Sequence, residues 1–173
     1  LNLDGTARPV ARAQQLAEDY WKIFPSITVC AAEKKLGPEA YQLEITETEL
    51  TITADDEAGM LNAFKTLRQL AEVQRGTEKV SGYFLVQCSI HDKPAMPFRG
   101  IHFCIFPETP LWDIEKQLRL AAYHKFNYAV IETWGVFPFE SHPEMGWADR
   151  KISRQDLKRL IHLGRELGIT LIP

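Results

Sequence analysis

Residues whose type and spacing could do chemistry fall in the second half of this chain. Arg99 stands at the head of an apolar run, Ile101 to Phe106, whose length and content suit a buried strand. A guanidinium there needs a partner, and residue chemistry alone makes it an ion-pair partner packed at a junction. His102 and Cys104 follow two residues apart, on one face of that strand. No third, orienting group is visible, so a nucleophile and base pair is rejected. Glu132 ends the strand-like run NYAVIET, where a carboxylate either serves a site or pairs locally. Trp134, Phe137, Phe139 and Trp147 crowd the loop beyond it, together with His142 and Glu144. They make either a platform for the apolar faces of sugars or the loop's own small core. Glu140, His142 and Glu144 match no standard ligand spacing, and neither a metal nor a cofactor is expected.

The elements that must hold these residues repeat as strand and helix. The run from Phe98 to Phe106 leads through Thr109 and Pro110, an N-cap with proline at the first helical position, into a helix with Ile114, Leu118, Ala121 and Ala122 on one face. NYAVIET begins a second strand at Asn127, and a long loop runs from Trp134 to Ile152. Ser153 with Asp156 three residues on resembles a capping box, opening a helix that carries Leu157, Leu160, Ile161 and Leu167 and ends at Gly168. ITLIP is a third strand. This order implies parallel strands with helical crossovers, as in a doubly wound sheet or a (β/α)8 barrel. The glycine-rich phosphate turn of the doubly wound alternative is missing, since FPETP follows the first strand.

The first half reads differently. Apolar positions from Val10 to Phe24 predict a helix over about Arg8 to Phe24. Strands are predicted from Ile27, Tyr41, Leu50 and Tyr83, the second and third forming a hairpin across Glu47 and Thr48. Between the last two, Asp55 or Asp56 caps a helix that buries Met60, Leu61, Phe64, Leu67 and Ala71. An antiparallel or mixed sheet with two helices on one face, an α+β sandwich, accommodates this order. No site pattern of His, Cys or carboxylates falls within it, which favours a structural or docking role.

Composition narrows the function classes. The 173 residues are 45% hydrophobic and 25% charged with a formal charge of −3, so nothing draws the chain to nucleic acid and no run is long enough to span a membrane. Cys30, Cys88 and Cys104 lie in apolar runs without a CxxC spacing and read as buried thiols. The start at Leu1 suggests a processed or internal beginning, and the final GITLIP suggests a stop inside a fold. An unpaired last strand is then expected to favour self-association, strand exchange or disorder near Ile169 to Pro173. The compartment is not encoded in any of these features.

Three segments, in order, carry a resemblance. YQLEITETELTITADDEAGMLNAFKTLRQL is similar to the end of a non-catalytic N-terminal domain, DKPAMPFRGIHF to the entry into a first barrel strand, and AAYHKFNYAVIE to the helix and second strand that follow. Together they resemble glycoside hydrolase family 20, the β-N-acetylhexosaminidases. The resemblance implies an N-terminal α+β domain over residues 1–92, then the first three strands and two helices of a (β/α)8 barrel over 93–173. It implies hydrolysis of terminal N-acetylhexosamine by a retaining, substrate-assisted mechanism, with an amino-sugar glycoside or glycan as partner. In the family an Asp-Glu pair after the fourth barrel strand orients the acetamido group and supplies the acid, and no residue of this chain matches it. Arg99 matches the family arginine that holds sugar hydroxyls, a task suited to a planar fork of donors. Glu132 and Trp134 join it as expected sugar-binding residues at the barrel mouth. Where the family continues its first strand with an aspartate and then an arginine, this chain reads Cys104, Ile105, Phe106, Pro107, and its second strand runs VIETWGVF in place of polar residues. Without that Asp-Glu pair, the chain alone is expected to be inactive. The rival expectation is a non-catalytic carbohydrate-binding or interaction module on a degenerate hydrolase scaffold.

Overall fold

A computed structural model of the chain describes residues 27–31, 35–75, 85–147 and 151–173. The helix expected over Arg8 to Phe24 lies outside them. The chain forms two compact units, residues 1–95 and 96–173. Among the described residues these hold three α-helices and two small sheets.

In the first unit, β1 (Ile27–Ala31), β2 (Tyr41–Ile45), β3 (Leu50–Ala54) and β4 (Cys88–Asp92) form a mixed sheet in the order β1-β3-β2-β4. β1 runs parallel to β3, and the other two pairings are antiparallel. The expected hairpin is present: Thr46 and Glu49 close it, with the Glu49 amide donating to Thr46 Oγ1 at 2.9 Å and the Thr46 amide to the Glu49 carbonyl at 2.9 Å. Period-two alternation puts Leu43, Ile45, Leu50 and Ile52 on the covered face. α1 (Glu57–Arg75) lies on that face and contributes Met60, Phe64 and Leu67 to the same core. Asp56 is its cap, accepting from the Gly59 amide at 2.7 Å, while Asp55 instead accepts from the Leu36 and Gly37 amides at 2.6 and 2.8 Å.

The fourth strand departs from expectation. Its pairing begins at Cys88, where the register from Tyr41↔Asp92 to Ile45↔Cys88 uses all five residues of β2; Tyr83 itself lies outside the described residues. Hydrophobicity marks a strand-forming segment, but the neighbour's length decides how much of it pairs.

In the second unit, β5 (Gly100–Ile105), β6 (Tyr128–Thr133) and β7 (Thr170–Ile172) form a parallel sheet in chain order. α2 (Leu111–Tyr123) connects β5 to β6, and α3 (Arg154–Glu166) leads into β7. Both helices share one core with Phe103, Ile105 and Ala129, so they cover the same face of the sheet. Thr109 does not cap α2. Its hydroxyl accepts from the Phe106 amide at 3.1 Å, closing a turn, and Pro110 becomes the N-cap. Ser153 caps α3 as expected, its Oγ accepting from the Asp156 amide at 3.0 Å.

Both helices end in a Schellman motif. In α3 the left-handed residue is Gly168, φ +71°, with Ile169 N–H bonded to the Gly164 carbonyl at 2.7 Å. In α2 it is Lys125, φ +61°, with Phe126 N–H bonded to the Ala121 carbonyl at 3.0 Å. A side chain in that conformation costs about 1–2 kcal/mol, of which glycine's greater unfolded freedom returns about 0.5–1. Lys125→Gly is therefore expected to raise stability by about 0.5–1 kcal/mol. A urea midpoint that moves down would refute the assignment.

Candidate functional site

The two faces of the second sheet differ. Ile101, Phe103, Ile105, Ala129, Ile131 and Leu171 turn toward the helices. By strand alternation His102, Cys104, Tyr128, Val130, Glu132 and Ile172 occupy the other face, where no described helix of this unit packs. Register then does what sequence spacing cannot. The pairing Cys104↔Glu132 sets a thiol beside a carboxylate, and β5 alternation adds His102 to the same patch.

Glu132 is the centre of this patch. Its Oε2 lies 3.0 Å from His102 Nε2 and accepts a hydrogen bond from Cys104 Sγ at 3.4 Å. Both His102 and Glu132 keep about half of their side-chain surface open, at 53% and 44%. Partial burial, then the hydrogen bond and charge of Glu132, hold the Cys104 thiol above its ordinary range. A hydrogen bond with the Trp134 side chain opposes this. The thiol is thus not activated as a nucleophile, and the imidazole addresses the carboxylate rather than the sulfur.

Trp134 continues β6, its amide donating to the Ile105 carbonyl at 2.9 Å. Its indole stacks on Phe106, with ring centroids 5.6 Å apart. Both rings are substantially exposed, 52% for Trp134 and 44% for Phe106. An exposed aromatic pair thus stands at the carboxyl ends of two parallel strands, next to a carboxylate and an imidazole. Gly135 (φ +64°) turns the chain immediately afterwards, and its carbonyl accepts from the Trp147 amide at 2.7 Å, folding the loop back.

Glu132 and Trp134 are therefore brought together, while Arg99 precedes the opposite, amino end of β5. Its Nε donates to the Lys125 carbonyl at 2.8 Å and its Nη1 to the Met96 carbonyl at 2.7 Å. Asn127 completes the joint, accepting from the Arg99 amide at 2.8 Å and donating to the Pro97 carbonyl at 2.8 Å. In the loop, Glu140 pairs with Arg154 at 2.8 Å and His142 with Glu144 at 3.2 Å, so these three do not form one cluster. The sequence's single adjacent Asp-Glu, Asp56-Glu57, opens α1, and Asp56 holds the amides of Gly59 and Glu39. It is a helix start.

The His102, Cys104 and Glu132 cluster was the part that sequence reasoning missed. The first two residues were visible on one strand, but their third partner lies 28 positions on from Cys104, and only the strand register joins them.

Comparison with known proteins places this geometry. Residues 5–93 match the family model for glycosyl hydrolase family 20, domain 2. The β-hexosaminidase A of Caenorhabditis briggsae is 29% identical over 153 residues, which cover 78% of this chain and 26% of that protein. The β-hexosaminidase of Akkermansia muciniphila is 26% identical over 164 residues, covering 80% of this chain and 31% of that protein. The chain thus spans about a third or less of these relatives. Among solved structures, the family 20 β-N-acetylhexosaminidase of Streptomyces coelicolor superposes with a TM-score of 0.79 at 18% identity, covering 96% of this chain and 40% of that one. An exo-β-N-acetylglucosaminidase of Vibrio harveyi, solved with N-acetylglucosamine, gives 0.74 at 19% identity, covering 99% and 31%. At such identities the structural likeness speaks for the fold. The family match covers more than half of the chain, and the chain belongs to glycosyl hydrolase family 20.

Proposed function

We propose that this chain supplies the non-catalytic α+β domain and the first three strands and two helices of the catalytic barrel of a β-N-acetylhexosaminidase, with residues 1–92 and 93–173 as the two parts. The reading is supported by a parallel sheet whose helices share one face, the arrangement a (β/α)8 barrel needs around its outside. Glu132 and Trp134 on the uncovered face carry the functional part. They lie at the carboxyl ends of the strands, where such barrels place their sites, and Trp134 offers the flat apolar surface on which a pyranose stacks. Arg99 enters by resemblance as a holder of sugar hydroxyls.

In this reading the terminal N-acetylhexosamine attacks its own anomeric carbon through the acetamido oxygen, and a carboxylic acid protonates the leaving oxygen. A neighbouring aspartate stabilises the charge that develops on the acetamido group. Neither carboxylate is assigned within this chain, whose Asp56-Glu57 caps a helix. The 173-residue chain by itself is accordingly expected to leave a chromogenic N-acetylglucosaminide intact. In a protein of the relatives' length that carries this chain, Trp134→Ala is expected to lower kcat/KM up to about tenfold, the worth of an aromatic stacking contact near 1.4 kcal/mol. Turnover by the chain alone, or an unaltered kcat/KM in the variant, would overturn the corresponding half of the proposal.

A further inference from the structure

The geometry points to a zinc-binding site formed by His102 Nε2, Cys104 Sγ and Glu132 Oε2 on the uncovered face of the second sheet. These three ligand atoms lie within 4.8 Å of one another, and they form the one such His, Cys and carboxylate group among the described residues. A tetrahedral zinc with bonds of about 2.0–2.3 Å requires ligand atoms roughly 3.3–3.6 Å apart. The spacings of 3.0 Å from His102 to Glu132 and 3.4 Å from Cys104 to Glu132 already approach that. A bound metal would have to bring His102 Nε2 and Cys104 Sγ, which lie within 4.8 Å of each other, to that separation as well.

Three further observations favour a metal over a bare hydrogen-bonded trio. The donors match a borderline-soft cation: a thiolate and an imidazole discriminate against magnesium and calcium, which prefer oxygen. Their charges balance it, since one thiolate, one carboxylate and a neutral imidazole sum to −2. The site is also rigid, because its ligands stand on two paired strands rather than on loops, at the register partners Cys104 and Glu132 and at His102 on the same face of β5. Three protein ligands leave a fourth position on the open side, which suits a water or a substrate oxygen.

Glu132 belongs to both this site and the proposed sugar site, but a metal titration reads binding without any hexosaminidase assay, so failure of one reading is distinguishable from failure of the other. The test is titration of the full chain with cobalt(II), a visible stand-in for zinc. Expected is one equivalent bound with the intense thiolate-to-cobalt band and the absorption of a tetrahedral centre, both abolished by zinc displacement. Cys104→Ser removes the thiolate band, whereas a Cys30→Ser, Cys88→Ser double variant keeps it. His102→Ala and Glu132→Gln should each weaken binding more than the 10–100-fold typical of outer-shell losses. Circular dichroism of each variant separates ligand loss from unfolding. Absence of the thiolate band in the unaltered chain, its survival in Cys104→Ser, or unchanged affinity in folded His102→Ala and Glu132→Gln would overturn the site.

Discussion

Leu118→Ala is expected to lower the stability of the second unit by about 2–5 kcal/mol, the usual cost of removing a fully buried leucine side chain. Leu118 is 0% exposed and shares its core with Phe103, Ile105, Ile114, Leu160 and Leu163 from both helices and the first strand. Its other neighbours in that cluster include Ala121, Ala122 and Ala129, whose side chains are too short to move into the space it would leave. The upper part of the range is therefore the more apt. Since three of the four tryptophans, Trp112, Trp134 and Trp147, lie in this unit, urea unfolding followed by tryptophan fluorescence reports mainly on it. A loss under about 1 kcal/mol would mean that the core collapses around the cavity, contrary to the packing described. The substitution also bears on the proposed site, because the same core holds the inward side of β5 and β6, whose outward side carries His102, Cys104 and Glu132.

What the sequence made legible, and what it hid, follow from how local each interaction is. Ser153 and Asp156 sit three residues apart and their capping bond was readable as a spacing. The Thr46 to Glu49 turn was equally local. Thr109 looked like the same kind of signal, yet its hydroxyl turns back to Phe106, since a threonine before a proline can serve the preceding turn as well as the following helix. Strand order in the first sheet was beyond local reading: β1 pairs with β3 across the intervening β2, and β4 pairs with β2, pairings between residues far apart in the chain. The patch around Glu132 was hidden for the same reason. Sequence places His102 and Cys104 on one face, but which residue of NYAVIET meets them depends on register, and a slip of one position would have put a threonine or isoleucine near Cys104 and turned Glu132 toward the helices. The family resemblance supplied fold and order of elements; it supplied no partner for Cys104, because the chain there departs from the family's residues.

Arg99→Lys should cost about 1.5–3 kcal/mol of stability, the value of hydrogen bonds to a charged group, even though the charge is kept. The reason is geometric. Two nitrogens of one guanidinium reach two carbonyls on different segments, Lys125 at 2.8 Å and Met96 at 2.7 Å, and an ammonium offers no such rigid fork. The Lys125 carbonyl belongs to the left-handed residue that ends α2, so the bond fixes the turn into β6 as well as the entry to β5. A stability loss alone describes a fastening residue. The proposed contact with sugar hydroxyls demands more: in a protein of the relatives' length, assayed well below its unfolding temperature, the folded Arg99→Lys enzyme should show a raised KM for an N-acetylglucosaminide. A shifted urea midpoint with KM unchanged would remove Arg99 from the proposed sugar site and leave it the structural task alone, with Glu132 and Trp134 at the far end of the strands as the remaining proposed contacts.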